Sequence, residues 1–129
     1  MVVDTSALVA ISLAEPAAAD MLAALQTSRQ RAISSVSLLE TGMVLRARSG
    51  PAVLPSLYEL VDRLGLEVVP FDDVQARLAI AAFGRYGKGM GHRAQLNFGD
   101  CAVYALALSR GEPVLATGRD FRATDISVV

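Results

Sequence analysis

Short apolar bursts alternate along this chain with longer stretches whose apolar positions recur at helical spacing. Met1-Val2-Val3 runs straight into a carboxylate, so Met1–Asp4 reads as the first strand, followed by the apolar run Ala7 to Leu13. Across Glu15–Ser28, residues Ala18, Met21, Leu22 and Leu25 keep the period of a helix, and Pro16 sits where a first turn tolerates it. Arg31–Ser34 is a short second strand. Ser37–Ala47 is helical on Leu38, Leu39, Val44 and Leu45, and Gly50-Pro51 stops it. Pro51–Leu64 is a further helix closed by Gly65, and Glu67–Pro70 a third strand. Asp73–Tyr86 is a helix with Asp72 or Asp73 as its cap. The pattern then breaks: Gly84, Gly87, Gly89 and Gly91 interleave with Arg85, Lys88 and His92, as in a mobile loop. Asn97–Arg110 is an apolar helix ended by Gly111, Pro113–Ala116 a fourth strand, and Ile126–Val129 a candidate fifth. Strands alternating with helices predict an α/β fold: one domain over residues 1–129, with a parallel sheet of four or five strands flanked by helices on both faces.

Composition narrows the function. The chain has 129 residues, enough for one proper core, and 53% of them are apolar. A net charge of −1 excludes a protein coated in positive charge, so any nucleic-acid contact must be local. Cys101 has no partner for an internal disulfide, which suits a reducing cytoplasm. No signal peptide and no membrane-spanning apolar run are visible. A lone His92 argues against a zinc site.

The candidate chemistry lies in four acids at element junctions: Asp4, Glu40, Asp100 and Asp120. Each also has an ordinary reading. Asp4 or Ser6 can cap the helix that follows. Ser37-Leu38-Leu39-Glu40 fits a capping box, and Asn97-Phe98-Gly99-Asp100 has the spacing of another. Asp120, in Gly118-Arg119-Asp120-Phe121-Arg122, can be a turn acid beside an arginine. In a parallel sheet, however, strand C-termini and the N-termini of the following helices share one edge, where ligand crevices form. Asp100 needs the long loop before it to return to that edge. Carboxylates about 4 Å apart repel by about 4 kcal/mol at an effective dielectric of 20, so such a cluster holds protons or a cation. An all-oxygen set suits Mg²⁺ or Mn²⁺, and such ions serve phosphodiester hydrolysis. Thr5, Ser6 and Thr117 bring hydroxyls that can bond to these carboxylates.

Taken together, Val2-Val3-Asp4-Thr5-Ser6-Ala7, Glu40 in its Ser-Leu-Leu-Glu context, Asn97-Phe98-Gly99-Asp100-Cys101 and Thr117-Gly118-Arg119-Asp120-Phe121 resemble the PIN-domain ribonucleases, and among them the VapC-type toxins of bacterial toxin–antitoxin pairs. The resemblance covers essentially the whole chain. It implies a Mg²⁺- or Mn²⁺-dependent endoribonuclease, restrained by a small VapB-type antitoxin, with transfer or ribosomal RNA as substrate. It carries Asp4, Glu40 and Asp100 over as metal-site acids, with Asp120 as a fourth catalytic acid. The family often has a further acid near Thr117, where this chain has Gly118 and Arg119, so the fourth ligand is left open.

No acid lies between Asp73 and Asp100, an interval that holds Arg77, Arg85, Lys88, His92 and Arg93. This basic stretch is the expected RNA contact, through Arg85, Lys88, His92 and Arg93. Arg46 and Arg48, beyond Glu40 on its helix, are a second candidate. The apolar helices at Glu15–Ser28 and Pro51–Leu64 exceed what one face of a small sheet needs, which together with the resemblance predicts a homodimer. Two rivals are weighed. Phosphoryl transfer through an aspartyl intermediate on Asp4 wants a second Asp where Ser6 stands. A degenerate PIN-like binding module without nuclease activity would be expected to have lost an acid, and Asp4, Glu40 and Asp100 are all present.

Overall fold

A computed structural model describes the whole chain, Met1–Val129. In chain order the elements are β1 (Val2–Val3), α1 (Thr5–Ser12), α2 (Ala18–Gln26), β2 (Ala32–Ser34), α3 (Ser35–Ser49), α4 (Val53–Arg63), β3 (Glu67–Val69), α5 (Asp73–Tyr86), α6 (Phe98–Arg110) and β4 (Val114–Leu115). A 3₁₀ turn, Asp120–Ala123, follows β4. The sheet has four strands in the order β3-β2-β1-β4, all parallel. Val2 pairs with Ala32 on one side and Val114 on the other, and Val3 with Leu115.

Side chains on successive strand residues point to opposite faces, and that alternation divides the core in two. Val2, Ala32 and Val114 pack with α5 and α6, whereas Val3, Ile33 and Leu115 pack with α1 to α4. Both faces are therefore covered by helices, as the element order predicts. The chain builds outward from β1 to β2 and β3, then returns to lay β4 on the other side of β1. That reversal beside β1 is a topological switch point, and crevices open there at the strand C-termini.

The apolar run after Asp4 is a helix, α1, in which Ala7, Leu8, Val9 and Ala10 are all buried. Five of its eight residues are buried and Ser6, Ile11 and Ser12 only partly so, too short a run to show a helical period by itself. Two expectations change. Ile126–Val129 does not extend the sheet as a strand; a single parallel bridge joins Val128 to Val114. The glycine-rich loop is tied at its base rather than loose. A bridge joins Gly87 to Leu96, the Lys88 N–H donates to the Leu96 carbonyl at 2.9 Å, and the Leu96 N–H donates to the Tyr86 carbonyl at 2.9 Å.

A candidate metal centre at the switch point

Each site acid is placed by a local backbone preference. Asp4 leaves β1 with an extended backbone and caps α1, its Oδ2 accepting from the Ser6 N–H at 2.9 Å and the Ser6 hydroxyl at 2.5 Å. Ser6 also accepts the Thr117 N–H at 3.0 Å, which ties the segment after β4 to the segment after β1. Ser34 caps α3 by accepting the Val36 N–H, so Glu40 lies in the second turn and not in a capping box with Ser37. The Ser37 reading fails because α3 starts two residues earlier than the sequence pattern indicated. Freed from capping, the Glu40 carboxylate accepts the Thr5 hydroxyl at 2.8 Å.

Asp100 does form a capping box. Its Oδ2 accepts the Asn97 N–H and the Asn97 side chain accepts the Asp100 N–H, both at 2.9 Å. The crossover helix α6 runs antiparallel to the strands, so its N-terminus returns to their C-terminal edge. That is how the long loop before Asp100 reaches the other acids.

Asp4, Glu40 and Asp100 line one pocket of about 290 Å³, together with Thr5, Ser6, Asn97 and Thr117. Burial raises the Asp4 carboxyl above its ordinary range; bonds from Ser6 oppose the shift and the Glu40 charge adds to it. Asp100 rises from its ordinary 3.8 to about 6, through burial first, opposed by its bond from Asn97, with the charges of Asp4, Asp120 and Glu40 adding to the rise. Asp120 sits at the rim, exposed, and does not line the pocket. It reaches the cluster only through its charge on Asp100.

No three acidic or imidazole groups converge as a ready-made cage. The donor chemistry still fits a hard divalent cation. Asp4 and Asp100 each keep one carboxylate oxygen clear of any protein donor, and Glu40 takes only the Thr5 hydroxyl. All donors are oxygen. Gly99 makes room: a Cβ there would lie 2.5 Å from Glu40 Oε2, so only glycine lets the Glu40 carboxylate rest against the start of α6. Neither that role of Gly99 nor the pocket positions of Val9, Glu15 and Val44 were anticipated. For Gly99, the signal lay in a glycine inside the first turn of a helix, where its low propensity wants a reason.

Of the expected RNA contacts, Arg85, Lys88, His92 and Arg93 stand outside this pocket, and Arg46 lines a separate groove, whereas Arg48 lines the pocket itself. Arg85 pairs with Asp125 at 3.4 Å and lies over the Tyr86 ring. His92 Nδ1 accepts the Ala94 N–H at 3.1 Å and its ring meets the edge of Tyr86, so it serves the loop's own folding. Lys88 and Arg93 are exposed, with no side-chain partner. The loop leads into Asn97 and so approaches the pocket from one side.

Residues 1–127 match the model of the PIN domain. The chain belongs to the PIN-domain family. Within it, Ribonuclease VapC28 of Mycobacterium tuberculosis is 45% identical over 126 residues, covering 98% of this chain and 95% of its own. Ribonuclease VapC of Mycolicibacterium smegmatis is 44% identical over 129 residues, covering 100% and 99%. Among solved structures, the Mycobacterium tuberculosis VapC20, described as a sarcin-ricin loop cleaving toxin, superposes with a TM-score of 0.82 at 18% identity, over 99% of this chain and 97% of that one. DNA-bound VapBC from Salmonella typhimurium gives 0.75 at 25% identity, over 99% and 95%. This PIN domain is thus of the VapC kind in sequence, and the solved toxins share its fold.

Proposed function

We propose that this PIN-domain protein is a VapC-type toxin: an endoribonuclease that hydrolyses RNA phosphodiester bonds with Mg²⁺ or Mn²⁺ held by Asp4, Glu40 and Asp100. The observation that carries the reading is the convergence of Asp4, Glu40 and Asp100 on one pocket at the switch point, where burial and neighbouring charge push the Asp100 carboxyl up. Crowded, partly buried carboxylates that resist ionisation are relieved by a cation. When bound, such an ion acidifies water and stabilises the oxygens that attack and leave phosphorus.

The chain's own groups do the rest. Asp4 and Glu40 are oriented by Ser6 and Thr5, which hold one oxygen of each and leave the other free to ligate. Asp120, at the rim, adds negative charge that favours a second cation there. Lys88 and Arg93 offer exposed charge to phosphates along the path to the pocket. The substrate is a single-stranded RNA or an RNA loop, of transfer or ribosomal origin, since the phosphates of a rigid duplex are harder to align against the pocket acids. The partners are a VapB-type antitoxin, with a basic side chain reaching the acids, and a second copy of this chain. No helix is long and apolar enough to cross a membrane. A buried free thiol at Cys101 is consistent with work in the cytoplasm.

The test is cleavage of RNA by purified chain in EDTA, Mg²⁺ or Mn²⁺, beside Glu40→Gln. Cutting should require metal and vanish in the variant, which loses a ligand charge at nearly constant shape. RNA that is bound in Mn²⁺ yet left intact would turn the reading to an acid-lined binding module. Cutting by Glu40→Gln at the wild-type rate would remove Glu40 from the site.

A further inference from the structure

The acidic pocket contains one cation. On α3, residues Glu40, Val44 and Arg48 recur every fourth position and all line the pocket, so Arg48 stands on the same helix face as a site acid. Its guanidinium does not reach into the acids. It pairs instead with Glu15 at 3.1 Å, across the pocket's far rim. Glu15 lies in the turn between α1 and α2, directly after Ala14, whose φ of 50° is unusual for a residue with a side chain. The two side chains are 57% and 40% exposed. An ion pair that open is weak and easily exchanged.

We propose that Arg48 is a substrate-binding residue that takes up an RNA phosphate next to the scissile bond, and that Glu15 holds it in reserve until RNA arrives. The inference rests on the ribonuclease reading. A phosphodiester approaching Asp4, Glu40 and Asp100 meets like charge, and the loop cations lie outside the pocket. Arg48 is the only pocket-lining group able to offset that charge from the protein side. A guanidinium matches phosphate oxygens as well as it matches a carboxylate, so an RNA phosphate can replace Glu15 as the partner of Arg48. Arg46, also in the last turn of α3, lines a separate groove with Leu38, Met43 and Tyr58, and serves as the internal control.

The experiment is binding of a short fluorescein-labelled single-stranded RNA, followed by anisotropy at fixed Mg²⁺ across a salt series, with every variant made on the Glu40→Gln background so that the probe, verified on a gel, stays intact. Arg48→Gln should weaken affinity about tenfold, as for loss of a charge-assisted hydrogen bond, and flatten the salt slope by about 0.7. Arg48→Lys should keep the slope while losing part of the affinity, because the charge stays and the fork goes. Glu15→Gln should tighten binding, since it frees Arg48. Arg46→Gln should change affinity by less than about twofold, as for an exposed charge elsewhere on the surface. If the pair were only a structural tie, Arg48→Gln and Glu15→Gln would act in the same direction; that result overturns the proposal. So does an Arg46→Gln effect equal to that of Arg48→Gln, which would mean bulk charge alone. Wild-type protein that neither binds nor cuts RNA in any metal defeats the ribonuclease reading itself, whereas active wild type with an indifferent Arg48 defeats only this inference.

Discussion

At the scale of residues, one glycine decides where Glu40, a proposed metal ligand, can rest. A Cβ on Gly99 would meet the tip of Glu40, a flexible side chain that can move aside. Gly99→Ala should therefore keep or slightly raise stability, with up to about 1 kcal/mol from helix propensity. RNA cleavage should fall at least about tenfold as Glu40 is pushed from its place, since small displacements of catalytic groups are costly. Thermal melts beside cleavage rates check it; a variant with wild-type activity would free Glu40 from any positional demand. Asp100 gives a second prediction. Its folded carboxyl is raised to about 6 by burial and neighbouring charge, above its unfolded value, so the folded state binds the proton more tightly. In EDTA this group should make the protein more stable as pH falls from about 7 towards about 5, the reverse of an ordinary acid. Asp100→Asn should flatten that trend in melts recorded over the range. These roles were only half legible in the chain. The acids stood out by type and position, but whether an acid caps or ligates depends on where a helix starts. Ser34 took that start from Ser37, and Asp100 caps α6 while facing the same pocket as Asp4 and Glu40.

At the scale of elements, capping signals and stop signals located most helices to within a few residues, because Asp72, Asn97 and Gly111 act through local bonds. α1 was legible only as the helix that Asp4 or Ser6 would cap, because eight residues, five of them buried, are too few to show the period of a surface helix. The loop between α5 and α6 was legible as a break but not as a tied structure, since the bonds from Lys88 and Leu96 are set by the fold. This matters for its charges. Arg85 is already paired with Asp125, while Lys88 and Arg93 are free. Replacing Lys88 and Arg93 by Gln should weaken RNA binding and lower the salt slope by about 0.7 for each phosphate that is no longer neutralised. Arg85→Gln should do less. An unchanged slope in the double variant would take the loop out of the RNA path.

At the scale of the whole molecule, the parallel order β3-β2-β1-β4 gathers onto one edge acids that lie as far apart in sequence as Asp4 and Asp100. The alternation of elements made the α/β class readable, while the strand order, and with it the pocket's membership, came from pairings between distant segments. The apolar surface was misplaced in part. α2 and α4 leave Leu22 and Tyr58 exposed, and a further groove, lined only by apolar residues, lies between α5 and α6, with Ile80, Phe83 and Phe98 among them. A homodimer at micromolar concentration is the expected state, measured by light scattering, and a strict monomer would contradict it.

The central claim is that Asp4, Glu40 and Asp100 form one site for a divalent cation, and thermal melts of wild type and Asp100→Asn in EDTA and in Mn²⁺ test it most directly. An Asn at position 100 can still accept the Asn97 N–H, so the cap survives while the charge goes. A crowded acidic site predicts that the variant is as stable as wild type or more so in EDTA, since a raised, repelled carboxylate has been removed. Mn²⁺ should stabilise wild type by about 2.7 kcal/mol at a hundredfold excess over its dissociation constant, and the variant far less. A purely capping Asp100 predicts a loss of roughly 0.3–1 kcal/mol with or without metal. A variant that melts lower in EDTA and gains as much from Mn²⁺ as wild type would contradict the metal site.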